Sequence, residues 1–295
     1  MAGQIFQLIP PIIALIMVAL GMDVTVADFR RLAAHPRAAA VAIGGQLVGL
    51  PLLAFALGAL LSPPAAVAAS MVILAACPGG PPSNIFSYLA RGNVALSIAL
   101  TATTSLLGVL TLPFVVNLGL ATFLHEAEPV RLEIGRSMVQ LAGVSFFPII
   151  LGIFLRARFP DRVAGWQRRL RRVAFVLFAI VFPALIYQAW EPFMRYLPVA
   201  ATSAICFCAG ALGLGVLGGW LMRLDARDTF TVSIEIGLQN LALGTFIVIN
   251  KLERPELIAF ISTYTLISLP AIAAWSFGFV TLRRRRERGS AGRQQ

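Results

Sequence analysis

The sequence predicts an all-α polytopic membrane protein with nine transmembrane helices. Two observations carry that class. Of the 295 residues, 58% are hydrophobic and only 13% are charged, where soluble domains carry roughly 25% charged residues. The charges also fall in short clusters between apolar runs, and a hydrocarbon core of about 30 Å needs roughly 20 residues of helix to cross it. Runs of that length are helices and not barrel strands.

The first run, 5 to 22, has no basic residues ahead of it and is followed directly by Arg30 and Arg31, so it reads as a retained helix and not a signal peptide. The second, 38 to 61, carries Gln46, which taken alone is a polar group of the kind that bridges helices. The third, 66 to 89, is interrupted by "CPGGPPSN", Cys77 to Asn84, whose three prolines and two glycines break a helix. The fourth, 94 to 122, contains "ALSIALTATTS", with Ser97 and Thr101 four apart on one face. The fifth and sixth, 137 to 157 and 173 to 190, flank an arginine-rich loop. The seventh, 197 to 222, holds Cys206 and Cys208, and the eighth, 228 to 250, holds "SIEIGLQNLALG". The ninth, 256 to 281, offers Ser262, Thr263, Tyr264 and Thr265 and leads into a basic tail, 285–295, expected to lack regular structure.

Connecting the runs by alternation puts 19 of the 24 basic residues on one side, and only Arg131, Arg136, Arg195, Lys251 and Arg254 on the other. The positive-inside rule makes the first side cytoplasmic, with the N-terminus outside and the C-terminus inside. The same rule accounts for the net charge of +11: arginines beside spans meet anionic lipid headgroups, and no nucleic-acid partner is implied. Cys77, Cys206 and Cys208 lie within spans and read as free thiols. His35 and His125 stand in different loops and complete no metal site. No paired carboxylates and no Ser/His pair mark an enzyme. The sequence sets no oligomeric state, and a monomer is compatible with it.

Twelve of the 13 acidic residues fall in loops, at span ends or in the tail, Glu126 and Glu128 among them; Glu235 alone lies well inside a span. A carboxylate at that depth costs about 2.5 to 3.5 kcal/mol on insertion scales. No basic residue lies inside any span, so Glu235 either carries a proton or faces a cation from outside the protein. Gly237 and Gly244 weaken the helix around it, and Gln239 and Asn240 add amide oxygens one turn on. Two central spans thus combine helix breakers with amide side chains, and they run in opposite directions through the membrane. Breaking a helix in lipid is tolerable only where protein or water covers the freed backbone, so the two breaks are expected to meet at one site near the midplane, as in transporters with inverted repeats. Oxygen donors from Ser83, Asn84, Ser97, Thr101, Gln46, Gln239 and Glu235, without a nitrogen or sulfur pattern, suit a hard alkali cation.

Across "GMDVTVADFRRLAAHPRA", "ACPGGPPSNIFSYLARGNVALSIALTAT" and "EIGLQNLALG" the chain resembles the bile acid:sodium symporter family, which includes bacterial homologues of bile-acid carriers. The resemblance implies inverted repeats with two discontinuous, crossing helices. It implies a panel domain of spans 5–22, 137–157 and 173–190, and a core of spans 38–61, 66–89, 94–122, 197–222, 228–250 and 256–281. It implies a first sodium site of Ser83, Asn84, Ser97, Thr101 and Glu235, and a second of Gln46, Glu235 and Gln239 with carbonyls near Ile236 and Leu238. Asn240, then Pro81 and Thr265, are the residues expected to touch substrate. Pro81 and Pro82 depart from the small or hydroxylated residue that family members often carry after the double glycine, and they remove two N–H donors that could face an anion.

The expected function is sodium-coupled symport of an organic anion, bile-acid-like or a small carboxylate, across a bacterial inner membrane, with sodium as coupling ion and no cofactor. Proton coupling through Glu235 is the alternative within transport. A membrane anion sensor without net flux is the alternative from another class.

Overall fold

The computed structural model describes residues 7–124, 131–188 and 190–291. His125, Glu126, Glu128 and the end of the tail from 292 lie outside the described residues. Among the described residues every regular element is helical, and the only strand-like contact is an isolated antiparallel bridge between Gly79 and Gln239.

Helix α1 (Ile9–Asp23) opens with Pro10 and Pro11 in its first turn, where a missing N–H costs nothing. Thr25 and Asp28 form a capping box that starts α2 (Val26–Ala34). Helix α3 (Pro36–Leu61) widens into a π-turn at Gly45–Gly49, two residues before Pro51, and Gln46 sits in that turn. Helix α4 (Ala65–Ala76) is buried from Ala66 to its end. After an extended break, α5 (Pro82–Leu89) begins with proline at its first position. Helix α6 (Val94–Phe123) is capped by Asn93, whose side chain accepts from the Leu96 N–H at 3.2 Å.

Helix α7 (Ile134–Arg158) repeats the arrangement of α3: a π-turn at Ala142–Phe146 is followed two residues later by Pro148. In both helices the wider turn gives room to a proline ring that would otherwise meet the carbonyl four residues back. Helix α8 (Pro160–Gln188) begins 13 residues before the expected sixth span. The stretch expected as an arginine-rich loop is therefore mostly helix, because arginine and leucine are good helix formers and Pro160 suits a helix start.

Helix α9 (Trp190–Leu221) leads to α10 (Ala226–Gly237), capped by Asp225. A second extended break separates α10 from α11 (Leu241–Lys251), capped by Asn240. Helix α12 (Ile258–Ala291) runs on past the expected span end, so the tail expected without regular structure is helical as far as Ala291.

Five of these segments are each long and apolar enough to cross a membrane: α3, α6, α7, α9 and Pro255–Arg283. Helix α1 packs on α7 and α8, while α9 packs on α10 and α12, and α4 on α6. Gly21 and Gly152 set the α1–α7 crossing: a Cβ on Gly152 would lie 2.7 Å from the Gly21 Cα.

Candidate functional site

The two breaks cross each other. Gly80 N–H donates to the Leu238 carbonyl at 2.7 Å, and Asn240 N–H donates to the Pro78 carbonyl at 2.9 Å. Each interrupted helix therefore supplies the partners that the other lost, which meets the demand that backbone at membrane depth be satisfied by protein. The double glycine is explained by this close approach and not by unusual dihedrals, since neither Gly79 nor Gly80 has positive φ. A Cβ on Gly80 would sit 2.7 Å from the Gln239 carbonyl oxygen. Several carbonyls at the breaks accept a hydrogen bond. The Gly237 carbonyl accepts from the Tyr264 hydroxyl at 2.7 Å, and those of Ile236 and Cys77 accept amide N–H groups of Gln239 and Gln46.

The five residues expected for the first sodium site lie together. Glu235 is fully buried on α10, and Gly79 leaves room for its carboxylate, because a Cβ there would run into Oε1. Ser83, in the first turn of α5, donates its hydroxyl to Glu235 Oε2 at 2.7 Å. From α6, Thr101 lies 2.5 Å from Oε1 and Ser97 lies 3.1 Å from Oε2. Asn84 Oδ1 is within 2.8 Å of the Ser97 hydroxyl and 3.4 Å of that of Thr101.

The chemistry of this cluster is set by a shortage of protons. Three hydroxyls, two carboxylate oxygens and one amide oxygen converge, and with the carboxylate ionised only the hydroxyls carry hydrogens. Ser97 and Thr101 each have more acceptors within reach than protons to give. Among the described residues no Lys, Arg or His contacts Glu235. Such a set has the composition of a binding site for a small hard cation.

The second set is joined only in part. Gln46 donates from Nε2 to the Cys77 carbonyl at 2.8 Å and to Gln239 Oε1 at 2.6 Å, while its own Oε1 is buried without a partner. Half a turn of the Gln46 amide would set three oxygens against one another, which a cation would hold together. Gln239 Nε2 donates to the Ile236 carbonyl at 2.6 Å, and the Leu238 carbonyl is engaged by Gly80. The Glu235 carboxylate bonds to the first set and is not bonded to Gln46 or Gln239.

The three residues expected to touch substrate are not linked by any bond. Asn240 caps α11 through Oδ1 at 3.1 Å from Leu243 N–H, and its Nδ2 is buried without a partner. Thr265 donates to the Ile261 carbonyl of its own helix at 2.8 Å. Pro81 is half-buried just before α5, so Pro82 falls at a helix position where no N–H partner is needed.

Sequence reasoning missed two supports. Tyr264 pins the end of α10, and the signal was a phenol inside an apolar run. Asn93 ties the start of α6 to α10, with its Nδ2 2.8 Å from Asp228 Oδ1 and its N–H 2.8 Å from Thr231 Oγ1. Its signal was an asparagine directly before an apolar run.

The family model described as Sodium Bile acid symporter family matches residues 10–209. An uncharacterized sodium-dependent transporter of Bacillus subtilis is 28% identical over 232 residues, 79% of this chain and 70% of that one. A probable chloroplastic sodium/metabolite cotransporter of Arabidopsis thaliana is 29% identical over 81% of this chain, which spans 58% of the plant protein's length. The ileal sodium/bile acid cotransporter of Oryctolagus cuniculus is 26% identical over 276 residues, 87% of this chain and 73% of its own.

Proposed function

The chain belongs to the sodium bile acid symporter family, and from that premise we propose that it is a sodium-coupled symporter of an organic anion working by alternating access. The observation that carries this reading is the proton-poor oxygen cluster around Glu235. A first sodium ion there would meet Ser83, Asn84, Ser97, Thr101 and Glu235. A second would meet Gln46 and Gln239, with the Ile236 and Leu238 carbonyls nearby and Glu235 adding charge.

Counting α4 with α5 and α10 with α11 as interrupted spans, and α1 and α8 as spans, gives nine crossings in two inverted repeats. The mutual packing of α1, α7 and α8 supports a panel made of those three and a core made of the rest. On the orientation set by the arginines, the N-terminus is outside and the C-terminus is in the cytoplasm of a bacterium.

Sodium neutralises Glu235 and fixes α5, α6 and α10 against one another through the shared oxygens. That orders the crossed breaks and with them Asn240, whose buried Nδ2 is the donor offered to an anionic substrate beside the crossing. Pro81, at the end of the first break, and Thr265, on α12 one residue after Tyr264, are its further contacts. Coupling follows when the core moves readily only fully loaded or fully empty.

The deciding experiment is thermal stability of the detergent-purified chain in NaCl, KCl and choline chloride, for wild type and Glu235→Gln. A ligand held only by the folded state adds about 2.7 kcal/mol at a hundred times its dissociation constant. A sodium-specific shift absent from the variant supports the site; no shift in either protein removes sodium coupling and leaves Glu235 to a proton. Counterflow of labelled anions in proteoliposomes then separates transport from sensing.

A further inference from the structure

We propose that an anionic glycerophospholipid occupies the groove between α1 and α8, with its phosphate on Arg169 and an acyl chain along Leu15 and Val173. This rests on the membrane orientation proposed above and is independent of sodium coupling. The groove encloses about 210 Å³ and is lined by Leu15, Trp166, Arg169, Leu170 and Val173. Only the aliphatic stem of Arg169 faces it, so the guanidinium stands at its rim and not within it.

Helix α8 shows two distinct faces over this stretch. Gln167 and Arg171 both bond to Asp23 at the end of α1, and Val163 and Ala174 are buried on the same side. The adjoining face carries Arg162, Trp166, Arg169 and Val173, then Val176 and Ile180, at spacings of three and four that keep them in one row. Arg162 and Arg169 are exposed and form no ion pair among the described residues. Val173, Val176 and Ile180 are 51%, 54% and 63% exposed. A cation thus stands at the end of an apolar track.

The carboxylate of the neighbouring helix does not neutralise that cation, because Asp23 is engaged by Arg171, and Arg156 occupies the adjacent Met22 carbonyl at 2.7 Å. Trp166 packs its ring 5.8 Å from Phe159 and is half-buried at the mouth of the groove, as suits an amphipathic ring at headgroup depth. A neutral lipid would use the apolar track without Arg169, and free phosphate would use Arg169 without the track. An anion on a hydrocarbon chain uses both. Because the groove has one wall on each helix, its occupant holds α1 and α8 together and stabilises the folded chain.

The test uses the full chain in detergent, titrated with dioleoyl phosphatidylglycerol, with dioleoyl phosphatidylcholine and with glycerol 3-phosphate. Adducts are read by native mass spectrometry and stability by melting. Phosphatidylglycerol is expected to raise the melting temperature more than either of the other two at equal concentration. Its affinity should fall about fivefold in Arg169→Ala, the loss expected for one basic group at a headgroup. Arg37→Ala, an exposed arginine on α3, should leave it unchanged. Equal phosphatidylglycerol affinity in wild type and Arg169→Ala, or an equal loss in Arg37→Ala, overturns the site. Glycerol 3-phosphate reproducing the whole shift overturns the lipid. Should Arg169→Ala melt lower without lipid, the affinity ratio from adduct counts still decides.

Discussion

The backbone N–H of Gly80 meets the carbonyl of Leu238 at 2.7 Å, and with the Asn240 N–H on the Pro78 carbonyl it joins two helix interruptions far apart in the chain. It requires glycine, since the neighbouring carbonyl of Gln239 is backbone and cannot swing aside as a side chain would. Gly80→Ala is expected to cost about 1 to 3 kcal/mol, the usual range for forced overpacking, and to abolish sodium-stimulated uptake. Gly244→Ala is the comparison, because its Cβ would meet side-chain ends alone, those of Leu74 and Ile261 at 3.3 and 3.4 Å and the Cys77 sulfur at 3.6 Å. Melting curves of the two variants that coincide would show that the crossing is not tightly packed.

The breaks themselves were legible in the sequence, the first from three prolines and two glycines packed into eight residues, the second from Gly237 and two amide side chains beside the lone buried carboxylate. The lone carboxylate and the hydroxyls and amides near the breaks suggested one oxygen-rich site of seven residues, and the narrower grouping of Ser83, Asn84, Ser97, Thr101 and Glu235 came from the family resemblance. The pairing of Gly80 with Leu238 was not, since it depends on how two distant segments approach and not on any local pattern. The helical start of α8 was hidden by its arginines, which satisfy the positive-inside rule equally well as loop or as helix. Asn117 gave no sign of its role, because an asparagine within an apolar helix does not say which backbone it will reach.

Thr101 is the shortest contact to Glu235 and also reaches Asn84, so it should tune ion affinity without setting the fold. Thr101→Val keeps the shape and removes the oxygen. Half-saturation by sodium is expected to rise about tenfold, the equivalent of roughly 1.4 kcal/mol, with the maximal uptake rate retained. Thr101→Ser should stay near wild type. A sodium titration of uptake in vesicles reads both, and equal half-saturation for Val and wild type would remove Thr101 from the ion site.

Asn117 on α6 holds the segment ahead of α7 by two bonds, donating Nδ2 to the Leu132 carbonyl at 2.9 Å and accepting the Leu132 N–H at 2.7 Å. Asn117→Ala leaves both backbone groups without their partner and should cost about 1 to 3 kcal/mol. Asn117→Asp keeps one bond and sets a carboxylate oxygen against the carbonyl, so it destabilises as well. Neither change touches the oxygen cluster, and half-saturation by sodium should hold steady in both while the melting temperature drops. A variant that shifts sodium affinity and leaves melting unchanged would contradict this division.

On the proposed two-ion reading, Gln46 is the residue whose removal tests for the second ion. Its side chain lies in the π-turn of α3, reaches Gln239 across the crossing, and leaves Oε1 buried without a partner. In Gln46→Leu the residue's volume is nearly kept, but both amide contacts are lost and the first oxygen cluster is untouched. With two coupled sites, sodium activation of uptake is cooperative, and a Hill coefficient cannot exceed the number of sites. The expected change is therefore from about two in wild type to about one in Gln46→Leu, with sodium-specific thermal stabilisation weakened and not abolished. Gln46→Glu should behave differently, because a second carboxylate beside Glu235 raises the attraction for cations while adding repulsion in their absence. It is expected to melt lower than wild type in choline chloride and to recover in NaCl. If Gln46→Leu instead keeps a coefficient of about two, the second ion does not use this amide, and Gln46 serves only to join α3 to the crossed breaks.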